Sequence, residues 1–230
     1  MKKLVVLTGA GMSAESGFST FRDAGGYWDQ YRVEDVATPE GWERNPKMVL
    51  DFYANLRGQL LRAQPNDGHT GLARLEAQYE VHVITQNVDN LHERAGSSRV
   101  LHLHGELTKV CSATYPQYIK ELPPDAPYIK IGDKCPRGGQ LRPFIVWFGE
   151  AVPAIEEAAE LSAQADIYVV IGTSLNVYPA AGLLHYVPHG VPIYLIDPKE
   201  VPTVLSSRIT FIREPASKGV AELTELLAAL

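Results

Sequence analysis

The short apolar run Leu4–Leu7 breaks directly into Thr8-Gly9-Ala10-Gly11, and no other feature constrains the chain as much. A strand that ends in closely spaced glycines and leads toward a helix start brings backbone N–H groups onto a pyrophosphate. Gly9 permits the tight turn, Gly11 lets the backbone approach phosphates, and Ala14 takes the third small position of G-x-G-x-x-G/A. A glycine turn of purely structural origin looks the same locally. The loop by itself therefore leaves dinucleotide binding and plain turn formation both open.

Apolar, β-branched runs recur at Val81–Thr85, Val100–Leu103, Ile167–Ile171, Ile193–Ile196 and Ile209–Ile212. Parallel strands buried on both faces read this way, as continuous runs rather than strict alternation. Helical spacing separates several of them, at Pro46–Arg62, His69–Gln78, Ala154–Gln164 and Gly219–Leu230. Strands alternating with helices predict an α/β fold, a Rossmann-like doubly wound parallel sheet. Two stretches break the alternation. Residues 24–66 give a loop and a long helical pattern where a second strand is due, and residues 106–142 are rich in Pro, Gly and Tyr. They predict a smaller module formed by two insertions, one helical and one ribbon-like, beside a Rossmann-like part built from residues 1–23, 67–105 and 143–230. All 230 residues fit one large domain with insertions, and a cleft between such modules suits a ligand.

A net charge of −6 argues against a nucleic-acid surface, which needs a basic face. No stretch reaches the roughly 18 apolar residues of a membrane helix. Met1-Lys2-Lys3 imitates the start of a signal peptide, but the apolar run stops at Thr8. Two cysteines give no disulfide framework. The expectation is a soluble, cytoplasmic protein, monomeric by default, with no nucleic-acid or membrane partner. A dehydrogenase would place an acidic residue about 20 positions past the glycines, at the end of a second strand. Glu34 and Asp35 lie near that distance with no strand before them. Asp197 does close a good strand, where it suits either a ribose hydroxyl or the turn before Pro198.

The segment Thr85–Gly96, TQNVDNLHERAG, follows its strand with Gln86, Asn87, Asp89 and Asn90, at the sheet edge where open α/β folds bind ligands. A capped turn, with Asp89 or Asn90 as the cap, has the same composition. Alternation along the next strand puts His102 and His104 on one face. Such a pair serves as a general base, a metal site or a structural hydrogen bond.

Taken in order, GAGMSAESGFSTFR, TQNVDNLHERAG, HLHGEL, RPFIVWFGE and GTSLNVYPAA resemble the sirtuin family of NAD-dependent protein deacylases. The resemblance runs from about Leu4 to Ala216 and is strongest to bacterial deacylases of the class that also removes acidic acyl groups. It implies NAD as cofactor, acyl-lysine proteins or peptides as partners, and His104 as general base with Asn87 beside it. Gly9, Ala10, Gly11, Ser13 and Glu15 would form the phosphate loop, with Phe21 and Arg22 over the nicotinamide. Gln86, Asn87 and Asp89 would bind the nicotinamide ribose and carboxamide. Gly172, Thr173, Ser174, Asn176, Asp197 and Ala216 would surround the adenosine half. Val146, Trp147 and Phe148, with Asn176, Val177 and Tyr178, would sandwich an extended peptide, and Ala37 and Tyr53 would line the acyl pocket. Mono-ADP-ribosyl transfer and non-catalytic sensing of NAD or acyl-peptide are the alternatives. The series Gln86, Asn87, Asp89 and His104 speaks against the second, since a pure binder needs no base.

Two departures stand out. Many sirtuins hold structural zinc with two C-x-x-C pairs, whereas here Cys111 is followed by Thr114 and Cys135 by Gly138. A closed zinc site needs four ligands, so Cys111 and Cys135 are metal ligands only if zinc binds, and their number argues that it does not. The acidic-acyl deacylases place an arginine three residues after the tyrosine. Here that position is Leu56 and the arginine follows at Arg57, rotated by about 100° on a helix. The expectation is that Leu56 faces the core and Arg57 faces water. Deacetylation should then be retained and desuccinylation weakened.

Overall fold

The computed structural model describes residues 1–18, 31–201 and 206–229. In chain order the elements are β1 (Lys3–Thr8), α1 (Val33–Val36), α2 (Pro39–Arg44), α3 (Pro46–Arg62), α4 (Asp67–Leu75), β2 (Glu80–Thr85) and α5 (Leu91–Arg94). They continue with β3 (Val100–His102), β4 (Gly105–Ser112), β5 (Ile119–Glu121), β6 (Leu141–Ile145), α6 (Ile155–Ala163), β7 (Ile167–Ile171), β8 (Ile193–Ile196), β9 (Ile209–Ile212) and α7 (Ala216–Ala228).

Six strands pair in the order β3-β2-β1-β7-β8-β9, all parallel. The apolar runs form this sheet because both of its faces are covered. Leu4, Val5, Val6 and Leu7 have no solvent exposure, with Leu4 and Val6 packed toward α4 and α7 and Val5 and Leu7 toward α6. Alternation along one strand thus feeds two separate cores. The strand order reverses between β1 and β7, which opens a crevice beyond their carboxyl ends.

The helices of the first insertion start on strong local signals. Thr38 accepts from the Gly41 amide before Pro39, and Asn45 accepts from the Met48 amide before Pro46. Asn66 and His69 form a reciprocal capping box that starts α4 two residues ahead of the expected His69. The second insertion is a three-stranded antiparallel sheet, β5-β4-β6. It packs on α3 through Leu107, Ile145 and Trp147, which share one apolar cluster with Val36, Phe52 and Leu56.

Two local expectations are corrected. The chain after Gly9 forms two 3₁₀ turns, Ala10–Met12 and Ala14–Ser16, rather than an α-helix among its described residues. Met12 drops into the core, and the Asn66 side chain ties the Met12 carbonyl at 2.8 Å and the Ser16 hydroxyl at 3.1 Å. Gly17, left-handed at φ 71°, then ends the second turn. Arg57 does not face water. It is 5% exposed, and its guanidinium donates to the carbonyls of Pro123 at 2.6 Å and Ala126 at 3.2 Å. It staples α3 to the second insertion.

His69 and His92 meet edge to face between α4 and α5, ring centroids 4.8 Å apart, and both are fully enclosed. Burial holds both imidazoles below their ordinary value, His69 at about 4. The unfolded chain therefore takes up protons that the fold refuses between pH 6.5 and about 4. On this account stability is flat above that window and falls as pH drops through it, by about 3 kcal/mol for His69. Melting temperatures measured through the window should decline with acidity. His69→Gln should flatten the decline, and an unchanged slope would place the titration elsewhere.

Candidate active site

The crevice is shaped by two loops in backbone contact. Gly9 N–H donates to the Ile171 carbonyl and Gly11 N–H to the Gly172 carbonyl, both at 2.9 Å. A Cβ on Gly11 would stand 2.6 Å from the Gly172 Cα. Gly172 itself is left-handed at φ 62°, where a side chain would run into the Met12 amide. Ala10 and Gly11 are half-buried on the lip, Thr173 is buried, and Ser174 and Asn176 are exposed on the opposite loop.

Beneath the lip lies a buried polar network. Asn87, 8% exposed, donates to the Gly9 carbonyl at 2.9 Å and to the Ser13 hydroxyl at 3.2 Å. Ser13 donates to Asp89 at 2.8 Å, and the other Asp89 oxygen accepts the Leu91 amide at 3.0 Å. Asp89 therefore holds Ser13 and the first amide of α5 together, while Asn90, the N-cap residue, makes no side-chain capping bond. Burial raises the Asp89 carboxyl above the ordinary value, opposed by its two hydrogen bonds. Gln86 donates to the Thr173 hydroxyl at 3.2 Å and so bridges the two sides of the crevice. The sequence reading missed Thr8 and Thr85, whose hydroxyls are bonded at 2.8 Å beneath this loop. Thr85 also accepts the Asn87 amide at 3.0 Å. Their place at the paired ends of β1 and β2 was the available signal.

His104 follows β3 and precedes Gly105, whose φ of 83° and contact with the Phe144 carbonyl exclude any side chain. The His104 carbonyl accepts the Val146 amide at 2.9 Å, which fixes the residue against the segment that follows β6. Its Nδ1 lies 3.1 Å from the Gln86 carbonyl. A carbonyl accepts only, so Nδ1 carries the proton and Nε2 holds a lone pair. Burial lowers the imidazole below 6.5, partly offset by the Gln86 carbonyl. The ring is a neutral base at physiological pH.

Of the residues expected to line an acyl pocket, Ala37 and Tyr53 are buried, and the Trp147 indole N–H donates to the Tyr53 hydroxyl at 3.1 Å. Arg142 stacks over Trp147 at 3.5 Å and pairs with Glu150 at 2.7 Å, while Glu150 accepts the Trp147 amide. Phe148 is 47% exposed and Tyr178 72%, flanking half-buried Val146 and Val177. The amides of Val146, Trp147 and Phe148 already donate to His104, Glu150 and Ala37. Of the outlying candidates, Asp197 forms the turn, its carboxylate accepting the Lys199 amide at 2.8 Å. Glu15 accepts the Ser217 amide at 2.9 Å beside buried Ala216, so its carboxylate caps α7. Phe21 and Arg22 lie outside the described residues.

A doubly wound sheet with a glycine-lipped crevice, an amide and carboxylate network and one neutral histidine defines a nucleotide-dependent α/β enzyme site. The Sir2 family profile matches residues 9–179, and the chain belongs to that family. It is 66% identical over 230 residues to a protein of Bacteroides thetaiotaomicron named NAD-dependent protein deacylase, covering 99% of this chain and 98% of the relative. A Helicobacter pylori protein of the same name is 50% identical over 223 residues, covering 97% and 96%. Among solved structures, a Sir2 homologue–NAD complex superimposes with a TM-score of 0.88 at 40% identity, over 99% of this chain and 90% of that one. A Sir2–p53 peptide–NAD+ complex gives 0.78 at 29% identity, over 99% and 94%.

Residues of the ribbon do not fit the zinc that many family members hold. The Cys111 thiol points at the Pro143 carbonyl, 3.7 Å away. Cys135 instead meets the hydroxyl of Ser112, the next residue along β4 and so on the other face. Its thiol is lowered from the ordinary value, first by Ser112 and then by the amides of Arg137, Gly139 and Gly138. Ser112 also accepts the amides of Thr114 at 3.3 Å and Tyr115 at 3.2 Å, and Arg137 stacks 4.0 Å over the Tyr115 ring. Where a C-x-x-C zinc site would bring four ligands together, Ser112, Tyr115, Cys135 and Arg137 converge instead, with one thiol among them. EDTA should leave the melting temperature unchanged, whereas Ser112→Ala should lower stability by about 1–2 kcal/mol. About one zinc per chain, with melting that collapses on chelation, would reverse this assignment.

Proposed function

We propose that this protein is an NAD-dependent protein-lysine deacylase that releases nicotinamide and transfers the acyl group to ADP-ribose, with His104 as general base. His104 carries the proposal: a half-buried histidine, neutral by environment and fixed in tautomer by the Gln86 carbonyl, next in the loop to the Asn87–Ser13–Asp89 network. The crevice residues fit a dinucleotide. Gly9, Ala10, Gly11 and Ser13 would hold the phosphates and nicotinamide ribose with Gln86, Asn87 and Asp89. Gly172, Thr173, Ser174, Asn176, Asp197 and Ala216 would hold the adenosine half, while Glu15 would act on the loop through its cap on α7. Phe21 and Arg22 would cover the nicotinamide. NAD, when bound, supplies the ribose carbon that takes the acyl oxygen as nicotinamide departs.

His104 Nε2 would take the proton of a ribose hydroxyl, while Nδ1 stays on the Gln86 carbonyl and keeps the ring aimed. A base acting at neutral pH with an imidazole below 6.5 suits that step. The acyl-lysine peptide would run between Val146–Phe148 and Asn176–Tyr178. With the three amides on the first side already committed, pairing there would use carbonyls. Nicotinamide release that depends on acyl-lysine peptide, with acyl-ADP-ribose as product, is the expected result. His104→Ala should keep NAD binding and lose about 10²–10⁴-fold in turnover. Turnover by that variant near the parent's would remove His104 from the chemistry, and label from NAD ending on protein would establish ADP-ribosyl transfer instead.

The acyl pocket favours a short apolar group. Leu56, 1% exposed, closes the cluster around Ala37 and Tyr53, and Arg57 is committed to the Pro123 and Ala126 carbonyls. Acetyl-lysine peptide should exceed succinyl-lysine peptide in kcat/KM by at least about tenfold, the scale of one charge-assisted hydrogen bond. Leu56→Arg should narrow that ratio. Equal rates on both peptides in the parent protein would refute the apolar preference.

A further inference from the structure

His102 and His104 stand two residues apart and touch successive carbonyls of one loop, yet their surroundings differ. His104 Nδ1 lies 3.1 Å from the Gln86 carbonyl, and His102 Nδ1 lies 3.1 Å from the Asn87 carbonyl. Among the described residues, His102 alone of the two has a second ring partner. Its Nε2 is 2.7 Å from a carboxylate oxygen of Glu93 on α5, with the His102 side chain 8% exposed and Glu93 39%. Both contacts of this ring are to acceptors, so both nitrogens carry protons and the ring is an imidazolium.

Asn87, its target, is otherwise held through its side chain on Gly9 and Ser13 and its amide on Thr85. The His102 contact is the one that fixes its carbonyl. We infer that Glu93 and His102 form a positioning pair for the reaction proposed above, setting the Gln86–Asn87 backbone through the Asn87 carbonyl. The inference rests on that reaction, and it adds a second histidine that works charged where His104 works neutral. Neither residue of the pair touches substrate.

The groups around His102 agree with a cation. Glu93 faces it from α5 and Glu106 from β4, with buried Asp89 in the adjoining loop. Buried His92, held neutral, and Lys109, bonded to Glu106 at 2.6 Å, stand on the other side of the balance. Burial opposes the charge, but the Glu93 contact outweighs it and the imidazole ends above its ordinary value. Glu93, His102 and Glu106 bring one ligand atom each within 4.8 Å, an arrangement that resembles a cation site. The two carboxylates are already balanced by His102 and Lys109, so the cluster is neutral without an ion.

Loss of the Nε2 proton would set a lone pair against the Glu93 carboxylate at 2.7 Å. Either Glu93 swings to solvent or the ring changes tautomer and releases Asn87. Activity should then have two limbs of separate origin: an acid limb from His104, which must be neutral, and an alkaline limb from His102, which must be charged.

The test is the pH dependence of kcat, with acyl-lysine peptide and NAD saturating, for the parent protein and Glu93→Gln. The glutamine keeps the shape and removes the charge. The alkaline limb should move to lower pH by about one unit, the scale of one close carboxylate, with the acid limb unmoved. Titration of the His102 ring followed by NMR should shift in the same direction, independently of turnover. An unmoved alkaline limb, or a uniform loss at every pH, would overturn the inference, as would a divalent-cation inhibition abolished by Glu93→Gln. Failure of the base assignment would show separately, as an acid limb that survives His104→Ala.

Discussion

The arrangement of this molecule depends on a glycine-to-glycine contact between the loops that leave its two central strands. Gly11 and Gly172 meet backbone to backbone where the strand order reverses, at a separation that a single Cβ would prevent. Dispersion and two short amide hydrogen bonds hold the contact. Everything chemical is built beneath it. With those loops a side chain's width further apart, Gln86 would lose the Thr173 hydroxyl.

Below that contact the protein buries polar groups at the ends of apolar strands and satisfies them among themselves. Thr8, Thr85, Asn87, Ser13 and Asp89 form a chain in which each hydroxyl both donates and accepts or serves two donors. In a low-dielectric setting such a chain is rigid when complete and unfavourable when broken. This rigidity lets environment rather than identity divide the two histidines. His104, whose ring meets a carbonyl among the described residues, is kept neutral, and His102, facing a carboxylate as well, is kept charged. Pushing like groups apart in this way is how one site acquires distinct proton roles.

The legible parts of the fold were those governed by neighbours in sequence. The apolar runs became the six parallel strands because burial on both faces is a local demand. The Pro46–Arg62 pattern became α3 because Asn45 and Pro46 start it unaided. Site residues were legible where they crowd the ends of those strands. What escaped depended on partners far along the chain. Arg57 is buried by carbonyls 66 and 69 residues away, and Glu15 caps a helix 202 residues on. The 3₁₀ turns after Gly9 are tied by Asn66 at the Met12 carbonyl, another contact across the chain. In the ribbon, spacing named Cys111, but both Cys111 and Ser112 are buried and the pleat of β4 sets Ser112, not Cys111, against Cys135.

Arg57 has a wider meaning. Relatives with an acidic-acyl preference resemble this chain up to an arginine that stands one position earlier, where it would greet a ligand. Displaced by a single residue, the same guanidinium rotates off the cavity and becomes internal mortar between segments that chain connectivity alone would leave independent. On the acyl preference proposed above, a one-step slide of a cation along a helix would exchange a discriminating contact for mechanical cohesion. Variation of this kind retunes an enzyme's diet without altering its composition, and a comparison of residue counts would never detect it.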